Sequence, residues 1–211
     1  MFAGAVSPTR ICKMENKESF NKRLEPFFSP REMRKIKLAY ILAKHGHRSQ
    51  FRKEQVNGAP MRYFEHVRRV SLILIDEMQI IDYDIIIAAI CHDTFEDTED
   101  ITPELMEDSF GSDVVGMIKC LSKTPKEGYH KRLEKCSDWR VLAIKACDRL
   151  DNVRSLMVPG TSLEFRMKQV AETKEQAREQ AAIVAIKAQS AAKAAFKKSY
   201  AFRIEQAEKR R

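Results

Sequence analysis

The sequence predicts an all-α protein: a helical bundle followed by a long basic helix at the C-terminal end. Three observations carry that expectation. Apolar residues recur at helical spacing through most of the chain, residues that start and stop helices stand at the ends of those stretches, and neither a period-two strand nor an internal repeat is found. A chain of 211 residues has room for one domain with a proper core and is short for two.

Residues 1–30 read as a lead-in without a motif, because Pro8, Pro26 and Pro30 interrupt any long helix. From residue 31, Met33, Ile36, Ala39, Tyr40 and Ala43 mark one helical face that runs into His45-Gly46-His47, where glycine lets the chain turn. Residues 49–63 read as a basic loop around the turn cluster Asn57-Gly58-Ala59-Pro60. A helix over 64–78 follows, with Val67, Val70, Leu74 and Ile75 apolar. Asp84 is then expected to cap a very apolar helix over 85–91 that ends near His92-Asp93 and belongs in the core.

Thr102 at the cap and Pro103 at the first helical position open a helix that stops at Phe110-Gly111, and another spans 113–121. Asp138 opens a helix from Trp139 to about Leu156, which Val158-Pro159-Gly160 terminates. Beyond Ser162 the chain is rich in Ala, Lys, Glu and Gln, with neither glycine nor proline to Arg211, a composition that favours helix. The expected division is a lead-in at 1–30, a catalytic unit at 31–175 and an Ala/Lys-rich helix at 176–211.

Five cysteines, an odd number with no Cys-x-x-Cys pair, argue against a disulfide framework and for reducing cytoplasm. The first residues lack the basic leader and apolar stretch of a secretory signal, and the longest apolar run is too short to span a bilayer, so no membrane role is expected. The net charge of +8 hides a division: residues 70–118 hold thirteen Asp or Glu and no Lys or Arg. An acidic centre flanked by basic segments fits a cation site facing a polyanionic small molecule better than it fits a simple nucleic-acid binder.

His92-Asp93 at the end of a buried helix is unusual, because a carboxylate in apolar surroundings is costly unless a cation or a hydrogen-bonding partner offsets its desolvation. His66, just inside an earlier helix, and Asp148, mid-helix among Ala146, Cys147 and Leu150, add an imidazole and a carboxylate. Mixed nitrogen and oxygen donors suit Mn²⁺ or Fe²⁺, with Zn²⁺ and Mg²⁺ as alternatives, used as a Lewis acid that activates water. His45 and His47 are expected instead to be helix-ending imidazoles in ordinary hydrogen bonds.

Tyr63-x-x-His66, His92-Asp93-Thr94-Phe95-Glu96-Asp97-Thr98 and Lys145-x-x-Asp148-Arg149-Leu150-x-Asn152-x-Arg154 stand in an order and spacing that resemble the hydrolase domain of the RelA/SpoT-type alarmone enzymes. Arg52-Lys53 ahead of a Gly-x-Pro turn, Phe110-Gly111 and Leu121-Ser122-Lys123 extend the resemblance over roughly residues 38–173. It implies an HD-type helical bundle that hydrolyses guanosine 3′,5′-bis(diphosphate) and its pentaphosphate relative with Mn²⁺-bound water, releasing pyrophosphate and leaving GDP or GTP. It further implies metal ligands His66, His92, Asp93 and Asp148, with Glu96 and Asp97 beside the metal to orient and deprotonate water. Arg52 and Lys53 would line the nucleotide pocket, and Asn152 would contact the sugar or phosphate side. Since no synthetase segment follows, a hydrolase-only protein of the small-alarmone-hydrolase kind is implied.

The chain departs from that pattern in places. A few extra residues stand between Lys53 and Gly58, Met61-Arg62 are inserted before Tyr63, and Asp151 occupies the place of histidine in Asp-Arg-Leu-His-Asn. Two other readings stay open: hydrolysis of a different nucleotide, such as an adenosine alarmone or another signalling nucleotide, and a binding module whose basic tail engages nucleic acid or a partner protein.

Overall fold

A computed structural model describes residues 16–56, 59–124 and 138–156, together with Glu127, Tyr129, Leu133, Cys136 and scattered positions between 163 and 173; of residues 53–56 it describes the backbone alone. The expected helix at 176–211 and the first fifteen residues lie outside the described residues. The helices are α1 (Lys17–Leu24), α2 (Pro30–Gly46), α3 (Phe64–Leu72, prolonged by a π-helical turn, Ile73–Glu77), α4 (Tyr83–Ile90), α5 (Thr94–Asp97), α6 (Pro103–Phe110), α7 (Ser112–Leu121) and α8 (Trp139–Ser155). Between α2 and α3 lies a two-stranded antiparallel hairpin, β1 (Phe51–Val56) and β2 (Ala59–Arg62).

The all-α class holds, with local corrections. α1 lies inside the expected lead-in: Asn16 and Ser19 cap each other's backbone, and Phe20 and Leu24 are fully buried against α2. α2 begins one residue earlier than expected, because Ser29 and Glu32 form a capping box around Pro30 at the first helical position. Asp82, not Asp84, caps α4, its carboxylate accepting from the amides of Asp84 and Ile85 at 3.1 Å. Asp84 falls instead in the first turn, where the helix dipole favours an acid.

The hairpin replaces the expected basic loop. Val56 pairs with Ala59 and Phe51 with Arg62, with an irregularity between Phe51 and Gln55 that absorbs extra residues in the first strand. Asn57-Gly58 is a sequence suited to a two-residue hairpin connection. Phe51-Arg-Lys-Glu-Gln-Val shows no apolar alternation, so period two gives no sign of it; backbone pairing and buried Met61 hold the hairpin in place.

Gly46 also differs from expectation. It ends α2 without the left-handed backbone that would make glycine a turn residue. A Cβ there would lie 2.8 Å from Ile101 Cδ1 and Thr98 Cγ2, so glycine is what lets α2 approach the segment after α5 so closely. Gly111, at φ +93°, does end α6 as expected.

α4 is the centre of the bundle. Its residues Ile85 through Ile90 are all buried, and it packs against α2, α3, α7 and α8. Because α3 and α8 also pack on each other, the start of α3, the end of α4 and the middle of α8 meet at one end of the core.

Candidate active site

Four polar side chains converge where those helices meet. His66 comes from the first turn of α3, His92 and Asp93 from the turn that ends α4, and Asp148 from the middle of α8. All four are buried, the least so being Asp93 at 7% exposed. Ligand atoms of His66, His92 and Asp148 lie within 4.8 Å of one another. His66 Nε2 is 3.2 Å from Asp148 Oδ1 and 3.6 Å from Asp93 Oδ2, which in turn lies 3.0 Å from His92 Nε2.

The donor set fits a divalent ion. His92 Nδ1 is 2.9 Å from the carbonyl of Ala89, which makes Nδ1 the donor and leaves Nε2 turned inward. Nε2 is buried and faces Asp93 Oδ2 at 3.0 Å. Neighbouring ligands about 2.1 Å from one ion lie roughly 3 Å apart, close to the separations of 3.0, 3.2 and 3.6 Å here, and His66, His92 and Asp148 lie within 4.8 Å of one another. The cluster demands positive charge. Burial opposes a charge on His92, yet the adjacent Asp93 carboxylate outweighs it and raises the imidazole to about 9. Burial likewise opposes ionisation of Asp148, but the bond with His66 and the charge of Lys145 hold its carboxyl well below the usual range.

Around the cluster, the chain satisfies the remaining carboxylate lone pairs. Lys145 Nζ lies 2.7 Å from Asp148 Oδ2, and Asn152 Nδ2 donates to Asp148 Oδ1 at 2.6 Å. Asn152 Oδ1 accepts from Arg52 Nη2 at 2.8 Å, so a continuous hydrogen-bond path links the hairpin to a carboxylate of the core. Tyr63, between β2 and α3, donates its hydroxyl to Asp93 Oδ2 at 2.7 Å, and the Arg52 guanidinium lies 5.8 Å from the Tyr63 ring. The Lys53 side chain lies outside the described residues.

The two acids of α5 point to different surroundings. Glu96 accepts from the backbone amide of Lys123, whose Nζ is 3.4 Å from the other carboxylate oxygen. The Asp97 carboxyl is raised above its ordinary value, by partial burial first and by neighbouring Asp93 second. Its backbone carbonyl accepts from the Gln50 side chain.

A family model described as an HD domain matches residues 39–183, which take in every member of this cluster. The chain belongs to the HD-domain family. Its relatives are the RelA/SpoT-type enzymes whose motifs it resembles. The chain is 35% identical over 159 residues to a guanosine-3′,5′-bis(diphosphate) 3′-pyrophosphohydrolase of Aquifex aeolicus, covering 71% of this chain and 21% of that protein. It is 31% identical over 151 residues to the bifunctional (p)ppGpp synthase/hydrolase SpoT of Escherichia coli, covering 66% and 20%. With the 3′-pyrophosphohydrolase MESH1 of Drosophila melanogaster it shares 38% identity over 127 residues, 57% of this chain and 68% of that one. The chain therefore spans about a fifth of the length of the first two and about two thirds of the third. A solved structure of a metazoan ortholog of SpoT, described as hydrolysing ppGpp, matches with a TM-score of 0.60 at 32% identity, over 73% of this chain and 87% of that one.

Three further side chains, Tyr63, His47 and Asp151, surround the cluster. Tyr63 was legible as part of the Tyr-x-x-His motif, but its bond to Asp93 was not. His47 does hydrogen-bond, its Nδ1 2.7 Å from Gln50 Oε1, yet it is also buried, stacks 4.9 Å from the Tyr63 ring and leaves Nε2 without a hydrogen-bond partner. Through Gln50 it supports the backbone of Asp97. Asp151 turns inward, 2% exposed, to His66 and Arg69. Its signals in the sequence are that it takes the place of histidine in the family pattern and that it stands one turn on from Asp148 on the same face of α8.

Proposed function

We propose that this chain is an alarmone 3′-pyrophosphohydrolase, which hydrolyses guanosine 3′,5′-bis(diphosphate) and its pentaphosphate relative to GDP or GTP and pyrophosphate. The observation that carries the reading is the convergence of two imidazole nitrogens and two carboxylates in a buried cluster, within a domain whose relatives are named for this reaction. His66, His92, Asp93 and Asp148 would hold the ion, for which Mn²⁺ is our assignment. A divalent ion bound there supplies Lewis acidity and makes water a nucleophile near neutral pH.

The chain's own groups then divide the remaining work. Asp97, whose carboxyl is raised by partial burial and by Asp93, is our candidate proton acceptor, and Glu96 is held by Lys123. Water oxygen bonds to the phosphorus attached at the ribose 3′-oxygen, that phosphorus–oxygen bond breaks, and the 3′-oxygen takes up a proton as pyrophosphate departs. Arg52 and Lys53 bind the anionic phosphates, guanidinium and ammonium being suited to a polyanion. Asn152 orients the sugar or phosphate side while keeping Asp148 in place.

Catalysis belongs to residues 31–175 in this reading, with α1 packed on that unit. No described helix is long and apolar enough to cross a membrane, and the described cysteines are free. Both support our placing the protein in the cytoplasm. The test is incubation of Mn²⁺-loaded protein and an Asp93→Ala control with guanosine 3′,5′-bis(diphosphate), following GDP and pyrophosphate by ion-exchange chromatography. Turnover that disappears in the control is expected. An intact substrate with metal bound overturns the substrate and directs the search to another nucleotide, for which the altered hairpin beside the pocket is the structural reason.

A further inference from the structure

We infer that Asp151, clamped by Arg69, is a positioning residue for His66: it fixes which imidazole nitrogen faces the metal and strengthens that nitrogen as a donor. The inference rests on the metal reading above and adds to it a buried partner where the family pattern carries histidine.

The geometry is a two-point clasp between α3 and α8. His66 and Arg69 stand one turn apart on α3, and Asp148 and Asp151 stand one turn apart on α8. The His66 ring is bracketed between those two acids. Its Nε2 is 3.2 Å from Asp148 Oδ1 and its Nδ1 is 2.7 Å from Asp151 Oδ2. Arg69 then grips Asp151 with two nitrogens, Nε at 2.6 Å from Oδ1 and Nη2 at 2.9 Å from Oδ2, while Nη2 also reaches Ser155 Oγ at 3.2 Å. His66 and Asp151 are 1% and 2% exposed, so the bond between them is shielded from water, while the Arg69 side chain is partly exposed.

Chemistry assigns each member a role. A carboxylate only accepts, so Asp151 holds a proton on Nδ1 of His66, and an ion bound beside Asp148 and Asp93 would meet the lone pair of Nε2 in place of a second proton there. A carboxylate on the far nitrogen makes an imidazole a stronger metal donor and fixes its ring plane. Asp151 cannot do this alone, because a buried acid without a compensating cation is costly, and the bidentate guanidinium supplies that compensation. Asp151 and Arg69 are therefore one device, and a histidine at 151 would leave Arg69 without its carboxylate.

The test uses the full chain and two ions. Mn²⁺ is titrated into wild type, Asp151→Asn, Asp151→Glu and Arg69→Met, reading free Mn²⁺ by electron paramagnetic resonance, with metal-free thermal unfolding alongside. Asp151→Asn should bind Mn²⁺ about 10- to 100-fold more weakly, Asp151→Glu should recover part of the loss, and Arg69→Met should show a smaller one. In wild type labelled with ¹⁵N-histidine and loaded with Zn²⁺, His66 should show a protonated Nδ1 and a metal-bound Nε2, a readout that needs no variant to fold. Mn²⁺ affinity within twofold of wild type in Asp151→Asn, or Nδ1 as the metal-bound nitrogen, overturns the inference and leaves Asp151 a structural partner of Arg69. Wild type that binds neither ion would overturn the metal reading and this inference together.

Discussion

The pocket and the hairpin lie side by side and are built in opposite ways. His66, His92, Asp93 and Asp148 are buried and held by helices that pack on one another, and their positions follow from core packing. Arg52 stands on a two-stranded ribbon whose Phe51, Ala59, Pro60 and Arg62 are exposed and whose register is irregular. Two strands alone are marginal in water, so the hairpin owes its place to contacts such as buried Met61 against Arg69 and the bond from Arg52 to Asn152. The difference teaches that, on the proposed reading, the residues assigned to chemistry stand on a packed core and Arg52, assigned to recognition, stands on an element that tolerates change. The insertions relative to the family pattern fall in the hairpin, whereas all four cluster residues match it.

Breaking the rigid side should have the largest effect. Asp148→Ala should abolish ion binding and lower hydrolysis by on the order of a thousandfold or more, measured by calorimetric titration with Mn²⁺ and by GDP release. A chelator should do the same to wild type, with activity returning when Mn²⁺ is restored. Arg52→Ala should act on the adaptable side alone, raising KM about 10- to 100-fold, roughly 1.4–2.8 kcal/mol, with Mn²⁺ affinity unchanged. An Arg52→Ala variant that lost the ion would show that the two regions are one structural unit.

Gly46→Ala probes the seam between the bundle and the α5 segment. The added methyl must displace Ile101 or Thr98, and a loss of about 1–3 kcal/mol in denaturant unfolding is expected, together with a lower kcat as the turn carrying Asp97 shifts. The smallest effect belongs to Glu77, on the π-helical turn, which pairs with Arg154 on α8 at 2.6 Å. The bond with Arg154 holds the Glu77 carboxyl below its ordinary value. A depressed acid stabilises the fold above its unfolded value and loses that contribution as pH falls through its lower, folded value. Both side chains are nearly half exposed, so solvent screening reduces the pair to less than about 1 kcal/mol. Glu77→Gln should lower the melting temperature slightly at pH 7, and the difference from wild type should shrink as pH falls through the lowered value of the folded carboxyl.

The rigid side was also the legible side. An all-apolar run ending in His92-Asp93, a histidine opening one helix and an aspartate on the inner face of another are patterns that burial imposes on sequence, and order and spacing joined them. The hairpin was illegible as strand because Phe51-Arg-Lys-Glu-Gln-Val has no buried alternate face to print period two upon it. Asp151 stands out in the sequence only as a departure from the family pattern, because its inward turn is decided by a partner far along the chain, Arg69; His47 makes the expected helix-ending hydrogen bond, and its place against Tyr63 is what local sequence does not print. Gly46 was recognised as needing to be glycine, but for a turn rather than for the close approach of a distant segment.

The acids of the pocket all carry donors from the chain itself: Lys145 and Asn152 on Asp148, Tyr63 on Asp93, Arg69 on Asp151. Mixed nitrogen and oxygen donors favour zinc and copper over manganese in intrinsic affinity. The occupant in a cell would then be chosen by supply and exchange rather than by the pocket, so a change in available metals would change the catalyst without changing a residue.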